Sequence, residues 1–257
     1  MPGKTTTTAT NRYGSIAAEI YDIDKPFGAL PDTAFHLRRL ADVDGPILEP
    51  ACGSGRTLVP LLEAGHHVTG FDTSPEMLAN CRDRCVARGF APDLSLQRFE
   101  TFTYETRFAA IVIPGASFTF IGDFAVAMAV LRRFYDHLAP GGRLIVDLDG
   151  LAFLAATGED RRCWTTEDGD LLTCTGARLG VDWVAQRERH HIRYERWRDN
   201  RLVDTQIEPM ERRLWGVDEF GLALDAVGFS DVAVTGNYRP RPPRAGDRIF
   251  TFEAVRK

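Results

Sequence analysis

Pro46-Ile47-Leu48-Glu49-Pro50-Ala51-Cys52-Gly53-Ser54-Gly55-Arg56-Thr57 is the stretch that decides the fold. It reads as a short apolar strand, a tight Gly-x-Gly turn and the start of a helix over 57–64. Further on, Val68-Thr69-Gly70-Phe71 ends in Asp72. A strand, a glycine turn and an acid closing the next strand are the footprint of a nucleoside site in a doubly wound sheet. Glycines let the backbone approach a ligand with no Cβ in the way. The acid can accept from both hydroxyls of a ribose.

Outward from that unit, strands and helices alternate. Toward the N-terminus, Tyr13, Ile16, Ala17, Ile20 and Tyr21 form one apolar stripe at helical spacing over 11–30, and a second helix is expected over 32–42. Thr73-Ser74-Pro75-Glu76 is a cap followed by Pro at the first helical position, opening a helix over 76–88. Strands follow at 94–99 and 108–114, the latter apolar on both faces. A helix over 123–138 is closed by Ala139-Pro140-Gly141-Gly142, and a fifth strand covers 143–148. Such alternation calls for a parallel sheet with right-handed crossovers.

After Gly150 the period changes. Residues 161–215 hold short β-like runs separated by turn residues, a meander of antiparallel strands. A helix over 217–227 and strands at 231–235 and 248–255 complete the chain. The expected architecture is α/β: a doubly wound, mostly parallel sheet formed by residues 11–160 and 216–257, with an antiparallel β cap at 161–215. Residues 1–10, a polar threonine tract, are expected to be disordered.

Composition narrows the function. The chain has 257 residues, 44% hydrophobic and 26% charged, with a net charge of −5. That balance argues against a nucleic-acid binder, whose grip on phosphates needs a basic surface. One stretch, 187–213, is locally rich in arginine. No apolar run approaches the ~18 residues of a membrane span. The five cysteines lack Cys-x-x-Cys spacing. Cys81 and Cys85, four apart on a helix, have no second pair to complete a metal site, so buried thiols, no metal and a reducing, cytoplasmic location are expected.

Three nucleoside ligands compete for the turn. A P-loop needs a lysine followed by Ser/Thr after the second glycine, and that lysine is not present. A dinucleotide site wants a third glycine where this chain has Leu58. S-adenosylmethionine has no phosphates and needs no third glycine. In order and spacing, Leu48–Arg56, Gly70–Leu78 and Leu138–Leu144 resemble the motifs of class I S-adenosylmethionine-dependent methyltransferases, over about residues 40–150. The β insertion and closing segment resemble a small-molecule subgroup of bacterial natural-product and aminosugar N-methyltransferases.

The resemblance implies a seven-stranded sheet with its last strand antiparallel, and S-adenosylmethionine converted to S-adenosylhomocysteine. It places Glu49, Ala51, Cys52, Gly53, Gly55 and Arg56 at the methionine end, Asp72 on the ribose, and Thr73 and Met77 beside the adenine. Arg98 and Phe99 stand where relatives carry an acid and an apolar residue, so the adenine amino group must find its acceptor elsewhere, at backbone, Glu100 or Thr101. Pro114, Gly115, Ala116 and Phe118 occupy the segment that passes under the sulfonium. Tyr13 and Tyr21 lie on the helix that closes over the cofactor in relatives.

Methyl transfer is an in-line displacement at an activated carbon, so proximity and a dry site matter most and a general base is optional. Tyr21, His190 and His191 are the candidate catalytic groups. By strand alternation His190 and His191 face opposite ways, and only one can look into the cleft. His36, His66, His67 and His137 read as structural. Trp164, Trp183, Trp197 and Trp215 all fall within the cap segment 161–215, which suits either an aromatic pocket or the cap's own packing. The cap arginines read as a solvated face.

The expected function is methylation of a small-molecule acceptor, an amine or electron-rich aromatic such as an indole, at nitrogen or carbon, in bacterial secondary metabolism. The alternatives are O-methylation, a nucleotide-cofactor oxidoreductase, or a non-catalytic cofactor-binding protein. A monomer or homodimer with no nucleic-acid or membrane partner is expected.

Overall fold

A computed structural model describes residues 13–27, 31–151 and 160–257; the tail at 1–10 lies outside them. The first unit forms as its sequence dictates: β1 (Ile47–Pro50), the glycine turn, α3 (Leu58–Glu63) and β2 (Val68–Asp72). Ahead of it stand α1 (Ser15–Asp24) and α2 (Pro31–Leu40). Gly14 occupies the N-cap position of α1, so Tyr13 precedes the helix instead of lying on it. Helix α4 (Pro75–Val86) is capped by the Ser74 hydroxyl, which accepts from the Met77 amide at 3.1 Å, with Pro75 at the first turn. That is the arrangement its sequence predicts.

The chain continues through β3 (Asp93–Leu96), β4 (Phe108–Ile113), a 3-10 turn at Ser117–Phe120, α5 (Phe124–His137) and β5 (Leu138–Asp149). Strand β5 begins five residues earlier than the sequence suggests. Leu138 pairs with Phe108, and the Ala139–Gly142 turn is carried as a register shift before Arg143 meets Ala110. Only glycine fits at 142, where a β-carbon would lie 2.8 Å from the Ala139 carbonyl.

Four antiparallel strands follow, β6 (Asp160–Thr165), β7 (Leu171–Asp182), β8 (Arg187–Arg198) and β9 (Arg201–Arg213). They form their own sheet in the order β6-β7-β8-β9. Then α6 (Val217–Val227), β10 (Phe229–Gly236) and β11 (Ile249–Arg256) return to the main sheet. Its seven strands run β10-β11-β5-β4-β1-β2-β3, with β11 antiparallel to both neighbours. This is the doubly wound order in which β1 and β4 diverge at a topological switch point.

Adjacent residues on the central strands bury on opposite faces. Leu48, Ile111 and Val146 pack under α5 and α6, while Ile47, Val112 and Ile145 pack under α3 and α4. That two-sided burial explains the unbroken apolar run of β4. Trp215 belongs to the first of these cores, beside Phe118 and Phe220, and not to the cap. The inner face of the cap buries Leu172, Cys174 and Tyr194 against Ile16, Ala17 and Ile20 of α1. Several cap arginines are structural ties and not a solvated face: Arg196 bridges Glu19 of α1 and Asp170, and Arg187 pairs with Asp123 at 3.0 Å.

Candidate active site

At the carboxyl ends of β1 and β4 the structure holds a cavity of about 1830 Å³, roofed by α1 and the cap. Its cofactor half is built by the glycine turn and the ends of β1, β2 and β4. Asp72 closes β2; its Oδ2 accepts from the Gly53 amide at 2.9 Å and its Oδ1 from the Ser74 amide at 2.9 Å. Burial pushes this carboxyl above the usual range, against those two amides, which favour the charged form. Ala51 and Gly53, both at positive φ, turn the chain past the acid, and a β-carbon at Gly53 would meet only open space.

Glu49 is a second buried acid of the site. It is 3% exposed, and burial holds its carboxyl well above the ordinary value. Its Oε2 has no hydrogen-bond partner. A buried, unsatisfied carboxylate oxygen in a cleft is a site prepared for a cationic group, because a ligand ammonium would satisfy it and restore its charge. Arg56 enters the same floor from the turn ahead of α3, paired with buried Asp32 and donating to Tyr21 Oη at 3.4 Å. Tyr13 and Tyr21 meet edge to face, 5.5 Å between centroids, and the Tyr13 carbonyl accepts from Ser74 Oγ at 2.6 Å. Burial raises the Tyr13 phenol, which stays protonated at neutral pH.

Cys52, Thr73, Met77, Arg98, Phe99 and Glu100 also line the cavity, as do Pro114, Gly115 and Ala116. Arg98 and Glu100 form an exposed pair at 3.6 Å. Two expected contacts fall elsewhere. Phe118 is fully buried between Phe99, Phe134 and Phe220 and serves the core. Gly55 faces α4, where a β-carbon would lie 2.7 Å from Cys81 Sγ, so its small size serves helix packing.

The other half of the cavity lies between the cap and the β5 end. Both histidines border it, but on opposite faces of β8. His190 shares the inner face with Glu188 and Tyr194, its Nδ1 3.5 Å from Glu188 Oε2. His191 lies on the face of Arg189 and Arg193. Glu188 is buried, which opposes ionisation, yet His190 and Arg212 outweigh burial and hold its carboxyl at about 2. Arg212 continues to Asp149 at 3.1 Å, and burial raises that carboxyl.

Sequence reading missed Asp149, Glu188 and Tyr238. Asp149 ends β5 as Asp72 ends β2, a signal that was present. Tyr238 gave none; its hydroxyl donates to Asp147 Oδ2 at 2.9 Å from a left-handed backbone position. None of the four tryptophans lines the cavity, and Trp183 is exposed on a hairpin tip. Among the described residues no group of three or more potential ligands is placed to hold a metal, and no helix is long and apolar enough to cross a membrane.

Residues 47–142 match the family model described as a methyltransferase domain. YqeM of Bacillus subtilis (strain 168), a methyltransferase by name, is 26% identical over 82% of this chain and 83% of its own. An S-adenosylmethionine-dependent methyltransferase from Clostridium acetobutylicum shares the fold at a TM-score of 0.78, with 18% identity over 93% of this chain and 96% of that one. The sugar N-methyltransferase KedS8 from a Streptoalloteichus species does so at 0.76, with 18% identity over 100% and 98% of the two chains. The fold, the motif order and the domain match define a class I, Rossmann-like methyltransferase. Its methyltransferase domain and its structural neighbours are those of the S-adenosylmethionine-dependent enzymes of that class.

Proposed function

We propose that the protein N-methylates a polar, amine-bearing small molecule, with His190 taking the proton that the new ammonium sheds. The observation that carries this reading is His190, which borders the cavity from the inner face of β8 beside buried Glu188. The sugar N-methyltransferase named above has the same fold and supports an amino-sugar-like acceptor in secondary metabolism. The aromatic acceptor loses its main support, since no tryptophan lines the cavity.

The site residues fit the cofactor. Asp72 receives the ribose hydroxyls, and the unpartnered Glu49 oxygen receives the amino acid's ammonium. Arg56 lies near enough to the same end to receive its carboxylate. When bound, S-adenosylmethionine supplies an electrophilic methyl carbon. The residues of this chain then do three things. Tyr13 and Tyr21 close the cofactor half and exclude water, Gly115 and Ala116 leave room beneath the reacting carbon, and the acceptor nitrogen is held in line by the cap. The acceptor amine would be held as the neutral base, and His190 would take the proton that its nitrogen sheds once methylated. Residues 161–215 act as the acceptor-binding cap on the domain formed by 11–160 and 216–257.

Incubating the protein with S-adenosylmethionine and a panel of amino sugars, simple amines, indoles and phenols, read by mass spectrometry, tests the assignment. Methylated nitrogen on an amino-bearing polar acceptor is expected. Turnover confined to indole carbon or phenolic oxygen would overturn it.

A further inference from the structure

His36 of α2 and Asp147 of β5 meet at 3.0 Å beneath the cavity wall, both side chains fully buried. Such a pair persists only where hydrogen bonds satisfy the remaining lone pairs. Here they do. Asp147 Oδ2 accepts from His36 Nε2, from the Gly115 amide at 2.9 Å and from the Tyr238 hydroxyl at 2.9 Å. Its Oδ1 accepts from Thr251 Oγ1 at 2.7 Å. Burial opposes ionisation of this carboxyl, but His36, Thr251 and the Gly115 amide outweigh it and hold it below its ordinary value.

One carboxylate oxygen thus fastens two turns from distant parts of the chain. Gly115 and Ala116, after β4, have φ of 65° and 63°; Asn237 and Tyr238, between β10 and β11, have φ of 52° and 56°. Consecutive left-handed residues, three of these four not glycine, are held only where the surroundings over-determine them. The Tyr238 ring is fixed as well, 5.6 Å from Phe35 and 5.9 Å from His36 between centroids. A β-carbon on Gly115 would lie 3.3 Å from the Arg56 guanidinium. Tyr238, sharing an oxygen with the Gly115 amide, therefore borders the cavity at the end where Arg56 and Glu49 line it.

The direction of the Tyr238 hydrogen bond limits what its oxygen can do. Burial, with Asp147 adding to it, pushes the phenol up, so it keeps its proton at neutral pH. That single proton is committed to Asp147, and toward the cavity the oxygen can only accept. At the amino-acid end of S-adenosylmethionine the carboxylate also only accepts, and the ammonium is the donor. We infer that Tyr238, held by the buried His36–Asp147 pair, accepts from the cofactor's ammonium beside Glu49. The inference rests on the reading that Glu49 receives that ammonium. Glu49 supplies charge, and Tyr238 supplies a fixed direction, its oxygen made a better acceptor by the carboxylate behind it.

The test is calorimetry on the full-length protein with two ligands and needs no acceptor. One is S-adenosylhomocysteine; the other is its deaminated analogue, which keeps the carboxylate and lacks the ammonium. The wild type should prefer the amine-bearing ligand. Tyr238→Phe keeps the ring and removes the hydroxyl. It should weaken S-adenosylhomocysteine roughly tenfold, as for a hydrogen bond to a charged group, and leave the analogue within about twofold. If that variant fails to fold, Tyr238→Asn, which tolerates the same left-handed backbone, is expected to erode the preference in the same way. A purely structural tyrosine would weaken both ligands alike. Equal weakening of both, or of neither, overturns the proposal, and a wild-type preference for the amine then leaves Glu49 as its receiver. A wild type indifferent to the amine overturns Tyr238 and Glu49 together.

Discussion

Asp72 accepts the Gly53 amide at 2.9 Å, so the acid at the end of β2 fastens the glycine turn that ends β1. One contact thus joins the two strands at the cavity wall, where the proposed ribose would meet the carboxylate's remaining lone pairs. The rest of the cofactor half is arranged around that contact, and the electrostatics of its neighbours can be tested separately.

Glu49 gives a proton-counting prediction. Its carboxyl is held well above the ordinary value by burial, and its Oε2 lacks a partner. A cationic ligand favours the ionised form, so the carboxyl pKa falls on binding and a proton leaves. Titration of S-adenosylmethionine in buffers of different ionisation enthalpy should show net proton release near neutral pH. Glu49→Gln should bind more weakly and show none. Buffer-independent heats for the wild type would contradict the assignment.

His190 and Glu188 give a prediction about turnover. His190→Gln should lower kcat by roughly 100-fold while S-adenosylhomocysteine affinity stays within about twofold. Glu188, at about 2, is ionised throughout the neutral range and lies against the His190 ring. Glu188→Gln removes that charge and should lower kcat by roughly tenfold, again without loss of S-adenosylhomocysteine affinity. Unchanged kcat would remove Glu188 from the account.

Phe118 separates core from site. Fully buried among Phe99, Phe134 and Phe220, its truncation to alanine should cost about 3–5 kcal/mol of stability through the cavity left behind. S-adenosylhomocysteine affinity at a temperature where the variant is folded should change little. Denaturant unfolding and calorimetry on one preparation give both numbers. Unchanged stability with lost affinity would return Phe118 to the cofactor wall.

The cofactor half was legible in the sequence because local rules define it. Gly53, Asp72 and the Ser74–Pro75 cap each need only their neighbours to be recognised. The alternating strands and helices likewise announced the main sheet, and turn residues announced the cap. The acceptor half was not legible, because it is made by residues far apart in the chain. Asp149, Glu188 and Arg212 come from β5, β8 and β9 and meet only once the cap folds back. Strand alternation divided His190 from His191 but could not say which shares a face with Tyr194, the face that packs on α1; that is His190. Trp215 was grouped with the cap because of its place in the chain, whereas its ring packs in the core of the main sheet.

The most direct test of the central claim is calorimetric titration of S-adenosylhomocysteine into the wild-type and Asp72→Ala proteins. The account predicts one site per chain in the wild type and affinity at least roughly 30-fold weaker in the variant, a loss of about 2 kcal/mol or more for charge-assisted hydrogen bonds. No binding to the wild type, or equal affinity in both, would contradict it.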